Sequence, residues 1–179
     1  MRLPYALLAL APLAPVRFGN AQTADVWKSN PKYISTMAEG KLLTALRRQM
    51  SSGRFKDAAA TAASVVSIAT DAKEKSIGES DRGYAFYSQA GDKGKAGWLN
   101  AADGSFTAAI ADYPKNATAH FFEGKILARQ GQTVAASTEF KTCISCLSPK
   151  DPSYVRAQHF AANPSLSLAK MAPLHRHCT

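Results

Sequence analysis

Apolar residues recur at helical spacing along much of this chain, and the breaks in that recurrence divide it into elements. From Tyr33 the pattern runs through Leu42, Leu43, Leu46 and Met50, three and four residues apart, which puts them on one face of a helix. Ser51-Ser52-Gly53 ends it, because glycine accepts the left-handed conformation that closes helices. A second helix is predicted from Phe55 to about Ile68, carried by Ala58, Ala59, Ala62, Val65 and Val66. With so short a turn between them, the two helices form an antiparallel hairpin. The periodicity resumes at Trp98 and runs through Ala102, Phe106, Ala109 and Ile110 until Tyr113-Pro114 closes it. Asn116 is placed to cap a helix over 117–129, Gln130-Gly131-Gln132 turns the chain, and a further helix follows over 133–147. Pro149 and Pro152 punctuate its end, before a short helix over 152–161 and a last segment over 165–171.

The stretch from Asp71 to Gly97 is the least regular. Glycines at 78, 83, 91, 94 and 97 interrupt it, so the pattern predicts only a short helix over 81–90 and a loop over 91–95.

Composition sharpens this into a fold class. Alanine occurs 33 times, against 12 for valine and isoleucine together, and that balance of helix formers over strand formers predicts an all-α chain. At 179 residues there is room for one domain or a short repeat array, which excludes a barrel-sized enzyme. A hydrophobic content of 46% with 20% charged residues excludes wholesale disorder. Lys and Arg exceed Asp and Glu by nine. Those cations are spread along the chain rather than clustered among aromatics, which argues against nucleic acid as a partner.

The first residues carry a targeting pattern. Arg2 precedes an apolar run over 3–14, too short to cross a membrane as a helix, and Gly19 and Ala21 supply the small residues of a cleavage site. Residues 1–21 therefore match a secretory signal peptide. The expectation is a periplasmic or otherwise exported protein with no membrane span in the mature chain.

Residues 34 apart then repeat their types. Gly97 is followed by Ala102, Phe106, Ala109 and Pro114, while Gly131 is followed by Ala136, Phe140 and Cys143. The second unit also places His120 at an aromatic position and Gly124 at a small one. This spacing resembles that of the tetratricopeptide repeat, with Gly97 and Gly131 as mid-turn glycines. The first hairpin follows it more loosely through Gly53, Phe55 and Ala58, and its Ala62 and Val65 depart from it. Small residues where two helix axes meet, and a Phe filling the gap beyond, give each hairpin a face to bury on its neighbour. The resemblance implies a right-handed superhelix of about three hairpins over 33–149, with a capping helix and connector over 150–173 and a disordered tail over 174–179.

The segment from Asp151 through Phe160, with Asn163-Pro164 and the 169–173 stretch, is similar to the connector that joins secreted tetratricopeptide arrays to a thioredoxin-like (redoxin, TlpA-type) domain. That similarity implies an alternative: the tetratricopeptide arm of a periplasmic thiol–disulfide oxidoreductase, truncated before its catalytic domain.

Candidate chemistry is sparse. Cys143 and Cys146 form a CxxC, but at the C-terminal end of a helix, where the field raises a thiol pKa. They read as a structural pair or a possible disulfide, not a catalytic one. His175, His177 and Cys178 sit in the tail and lack a further ligand, so no metal site is expected. His159 and His120 lie on faces that read as packed. The sequence therefore predicts a non-enzymatic module without cofactor, binding a peptide or protein surface on a concave face. Repeat position nominates Tyr87, His120, Lys125 and Arg129 as contact residues.

Overall fold

A computed structural model describes residues 31–91 and 94–168, with side chains from residue 40 onward. The signal peptide read at 1–21 and the tail read at 174–179 lie outside the described residues. Among the described residues, seven α-helices follow in order: α1 (Pro31–Ser51), α2 (Phe55–Ile68), α3 (Ala72–Ala90), α4 (Ala96–Asp112), α5 (Ala117–Arg129), α6 (Thr133–Cys146) and α7 (Pro152–Ala162). A short 3-10 turn, Pro164–Leu168, packs back on α5, α6 and α7. Among the described residues there is no strand. Each helix packs on the next, so the chain is an all-α array of the hairpins α1–α2, α3–α4 and α5–α6 with α7 against α6.

Two of the hairpin turns are the same device. Gly53 (φ 72°) and Gly131 (φ 77°) occupy the left-handed region. In the first turn Arg54 N–H donates to Gln49 O at 2.9 Å and Gly53 N–H to Met50 O at 3.2 Å. In the third, Gln132 N–H donates to Leu127 O at 2.9 Å and Gly131 N–H to Ala128 O at 3.1 Å. This two-bond cap satisfies carbonyls that the ending helix would otherwise leave orphaned.

The middle hairpin corrects the sequence in two places. Gly97 is not a mid-turn residue. It lies in the first turn of α4, and the left-handed glycines of this turn are Gly91 (φ 61°) and Gly94 (φ 58°). The region read as irregular before residue 81 is helical from Ala72, started by Asp71, whose carboxylate accepts from Glu74 N–H at 2.8 Å. Gly78 and Gly83 do not break α3, because they serve contact instead of conformation. A Cβ at Gly78 would come to 2.9 Å from Val66 Cγ2, and one at Gly83 to 2.7 Å from Phe106 Cε1. Glycine costs about 1 kcal/mol of helix propensity at each site, and close helix packing offsets it.

The second helix of each hairpin presents residues of the same register to the core, small-large-small on α4 and α6. Ala58, Ala62 and Val65 on α2, Ala102, Phe106 and Ala109 on α4, and Ala136, Phe140 and Cys143 on α6 are all essentially without exposure. Phe106 lies against Gly83, and Phe140 against Gly124. In the first hairpin the sizes are exchanged: α2 carries Ala62, and α1 supplies buried Leu46 seven residues before its turn glycine, where α5 has Gly124. Such a swap conserves volume, which is what a packed core tolerates best.

A buried polar knot ties α3, α4 and α5. Asn116 accepts from Ala119 N–H at 3.0 Å, capping α5, and its amide donates to Ser76 Oγ (2.7 Å) and Ser80 Oγ (2.8 Å). Ser76 Oγ donates in turn to Ala109 O at 2.7 Å.

Candidate interaction surface

Helix α5 splits its side chains by period. Thr118, Phe122, Lys125 and Arg129, at i, i+4, i+7 and i+11, share one face. That face meets α3 through Tyr84 and Tyr87, whose rings pack edge-on to Phe122 at 5.1 and 5.3 Å between centroids. Lys125 Nζ stands 5.2 Å from the Tyr87 ring centre and 5.7 Å from that of Phe122, while the Arg129 guanidinium lies 5.0 Å over Tyr87. These are cation–π distances. Arg129 also donates to Gly91 O at 3.0 Å, which ties the α3–α4 turn to the end of α5.

Two indentations flank this cluster. One of about 250 Å³ lies between α1 and α3, lined by Leu46, Arg47, Met50, Ser51, Asp81 and Tyr84. Burial pushes the Asp81 carboxyl up to about 6, against the pull of Arg47. The other, about 220 Å³, lies between α5 and α7, where Thr118, Phe121, Phe122, Leu147 and Arg156 are among the lining residues. The α1–α3 and α5–α7 junctions are thus recesses with apolar or aromatic lining and a cation at the edge, Arg47 in one and Arg156 in the other. Burial, followed by the neighbouring charges of Arg129 and Arg156, lowers the Lys125 ammonium to about 8.

Of the residues nominated from repeat position, Tyr87, Lys125 and Arg129 come together. His120 does not join them. Its side chain is only 8% exposed, with Nδ1 at 2.7 Å from Glu139 Oε2 and Nε2 at 2.9 Å from Pro114 O, so it is a buried joint between α5 and α6. The same side of α5 carries Glu123, pushed up to about 8 by burial, then by Asp103 and Glu139 beside it. Acids and bases therefore occupy different faces of one helix.

Among the repeat-position residues, Ala102, Phe106, Ala109, Gly124, Ala136 and Phe140 are buried, Pro114 is exposed, and Gly131 forms its turn. His159, read as packed, is exposed on α7.

Tyr84, Phe121, Phe122 and Arg156 were missed by repeat position. The i, i+4, i+7, i+11 stripe through Phe122 is a signal that could have found that residue. Arg156 had none, because only the fold of α7 against α6 brings it to this face.

Cys143 and Cys146 are both free thiols, Cys143 buried and Cys146 half-buried in the last turn of α6. Burial, with Cys146 and Asp151 nearby, pushes the Cys143 thiol up to about 12, which is wrong for a nucleophile. Among the described residues no group of three or more His, Cys, Asp and Glu is placed to hold a metal, and no helix is long and apolar enough to cross a membrane. His175, His177 and Cys178 lie outside the described residues.

No family model matches the chain, and no curated protein or solved structure matches it either.

Proposed function

We propose that this chain is a non-enzymatic interaction module that binds a peptide or protein surface along the face built by α1, α3, α5 and α7, the concave face of a tetratricopeptide-like superhelix. The observation that carries the reading is the pair of recesses on this face, α1–α3 and α5–α7, with the aromatic cluster of Tyr84, Tyr87 and Phe122 between them. An extended chain meeting this face finds aromatic surface for apolar side chains and fixed cations for orientation, the combination that protein-binding surfaces concentrate. The 34-residue spacing of residue types supports the same reading, because stacked hairpins of this kind leave their first helices free to contact a ligand.

A photo-crosslinking amino acid tests the reading. Placed at Arg47 or Thr118, on this face, it should capture a discrete partner. Placed at Val134, 82% exposed on α6, it should capture nothing. Equal capture at all three positions would reject the assignment.

A further inference from the structure

The cationic end of the α3–α5–α7 face has an unusual charge balance. Lys125, Arg129 and Arg156 are close enough for the two guanidinium charges to act on the Lys125 ammonium. Among the described residues, the ion pairs fall elsewhere: Arg54–Asp57, Lys75–Asp112, Arg82–Glu79 and His120–Glu139. None neutralises these three. The carboxylate nearest in sequence to Arg156 is Asp151, which lines the same recess, and its Oδ1 accepts from Ser153 N–H at 2.7 Å to start α7. Arg129 uses one N–H on Gly91 O, leaving the remainder of its guanidinium fork without a partner among the described residues.

Lys125 and Arg129, held over aromatic rings, and Arg156 beside the α5–α7 recess repel one another, and partial burial weakens the screening that water would supply. Burial first, and then the two guanidinium charges, lower the Lys125 pKa. A ligand that brings negative charge relieves this repulsion, whereas a neutral or cationic one does not. Beside the cations, the recess of about 220 Å³ between α5 and α7 offers Phe121, Phe122 and Leu147 to an apolar side chain. Its volume suits one such side chain and not a folded element.

The geometry points to an acidic peptide segment as the occupant of this face, with its carboxylates on Lys125, Arg129 and Arg156 and one apolar side chain in the α5–α7 recess. This rests on the reading of the odd-helix face as the binding surface and adds the chemistry of the partner. Affinity then comes from the aromatic floor and orientation from the cations, and the interaction weakens with salt, as partly exposed charge pairs do.

The test uses a phage-displayed library of random dodecapeptides selected on the full 179-residue chain. Recovered peptides should be enriched in Asp and Glu and contain a large apolar residue near the acids. A synthetic copy with every Asp and Glu changed to Asn and Gln should bind at least tenfold more weakly by fluorescence anisotropy. Lys125→Met and Arg156→Gln, checked for unchanged circular dichroism, should each weaken the acidic peptide severalfold, and Lys125→Arg should restore most of the loss. If Lys125→Met fails to fold, Arg156→Gln and the salt dependence carry the test.

Recovered peptides of neutral or basic composition that lose affinity on Tyr84→Ala would overturn the acidic partner while leaving the face intact. Acidic peptides indifferent to both charge substitutions would likewise overturn it. Failure to recover any peptide would count against the binding face itself.

Discussion

The ring of Phe140 fills the space that a side chain at Gly124 would need: a Cβ there would lie 2.9 Å from Phe140 Cε1 and 3.0 Å from Cζ. A ring packed in a core cannot swing aside as a flexible side-chain end can. Gly124→Ala therefore gains about 1 kcal/mol of helix propensity and loses about 1–3 kcal/mol to overpacking. We expect a net destabilisation of up to roughly 2 kcal/mol by urea unfolding, the difference of these two effects. Adding Phe140→Leu should cost less in the Gly124→Ala background than in the native chain. Simple additivity of the two would mean that the contact is not formed.

Asn116 both caps α5 and holds α3. Asn116→Ala removes the cap, worth about 1 kcal/mol, and strips the buried Ser76 and Ser80 hydroxyls of a partner, worth roughly 1–3 kcal/mol more. Asn116→Asp keeps the acceptor for Ala119 N–H and loses only the donor to the serines. It should fall between the native chain and the alanine variant. Equal loss from both substitutions would assign the whole effect to the bridge to α3.

Glu123 gives the fold an unusual pH dependence. Its folded pKa, near 8, is raised above the ordinary 4.5, so between those values the native state holds a proton that the unfolded chain has released. Stability therefore falls as pH rises from about 4.5 to 8 and levels off above. Asp81 contributes with the same sign from 3.8 to about 6. Lys125, lowered to about 8, acts oppositely: stability rises from about 8 to 10.5, where only the unfolded chain keeps the proton. Glu123→Gln should abolish the decline between about pH 6 and 8 in thermal melts, the interval that Asp81 does not cover. An unaltered slope in that variant would place the titration elsewhere.

Cys143 should be nearly inert. With its pKa pushed up to about 12, roughly one thiol in ten thousand is ionised at pH 8. Alkylation by iodoacetamide in the native chain, followed by peptide mapping, should label Cys146 far ahead of Cys143. Unfolding in urea should equalise the two. Fast native labelling of Cys143 would contradict its burial under the α7 cap.

Much of the fold was legible because its signals are local. The Gly53 and Gly131 turns, the Asn116 cap and the helices from Ala117 onward depend on residues within a turn of each other. The first half of α3 was not legible, because Gly78 and Gly83 look like breakers until their partners Val66 and Phe106 are known. Phe106 is 23 positions from Gly83, and no local rule connects them. The size exchange between Leu46 and Ala62 obscured how the first hairpin fits the repeat pattern, though the hairpin itself was legible: Ala62 alone departs from the pattern, and only the pair conserves volume. At the candidate face, Lys125 and Arg129 share a visible stripe. His120 sits on the same helix and was nominated with them, but its direction is fixed by Glu139, a turn and a helix away. Arg156 reaches the face only through the packing of α7.

The central claim is that the odd-helix face is the binding surface, and hydrogen exchange of the full chain measures it most directly. Bound to a selected peptide, the chain should gain protection in α3, α5 and α7, around Tyr87, Phe122, Lys125 and Arg156. Protection confined to α2, α4 and α6, or none despite saturating peptide, would contradict the account.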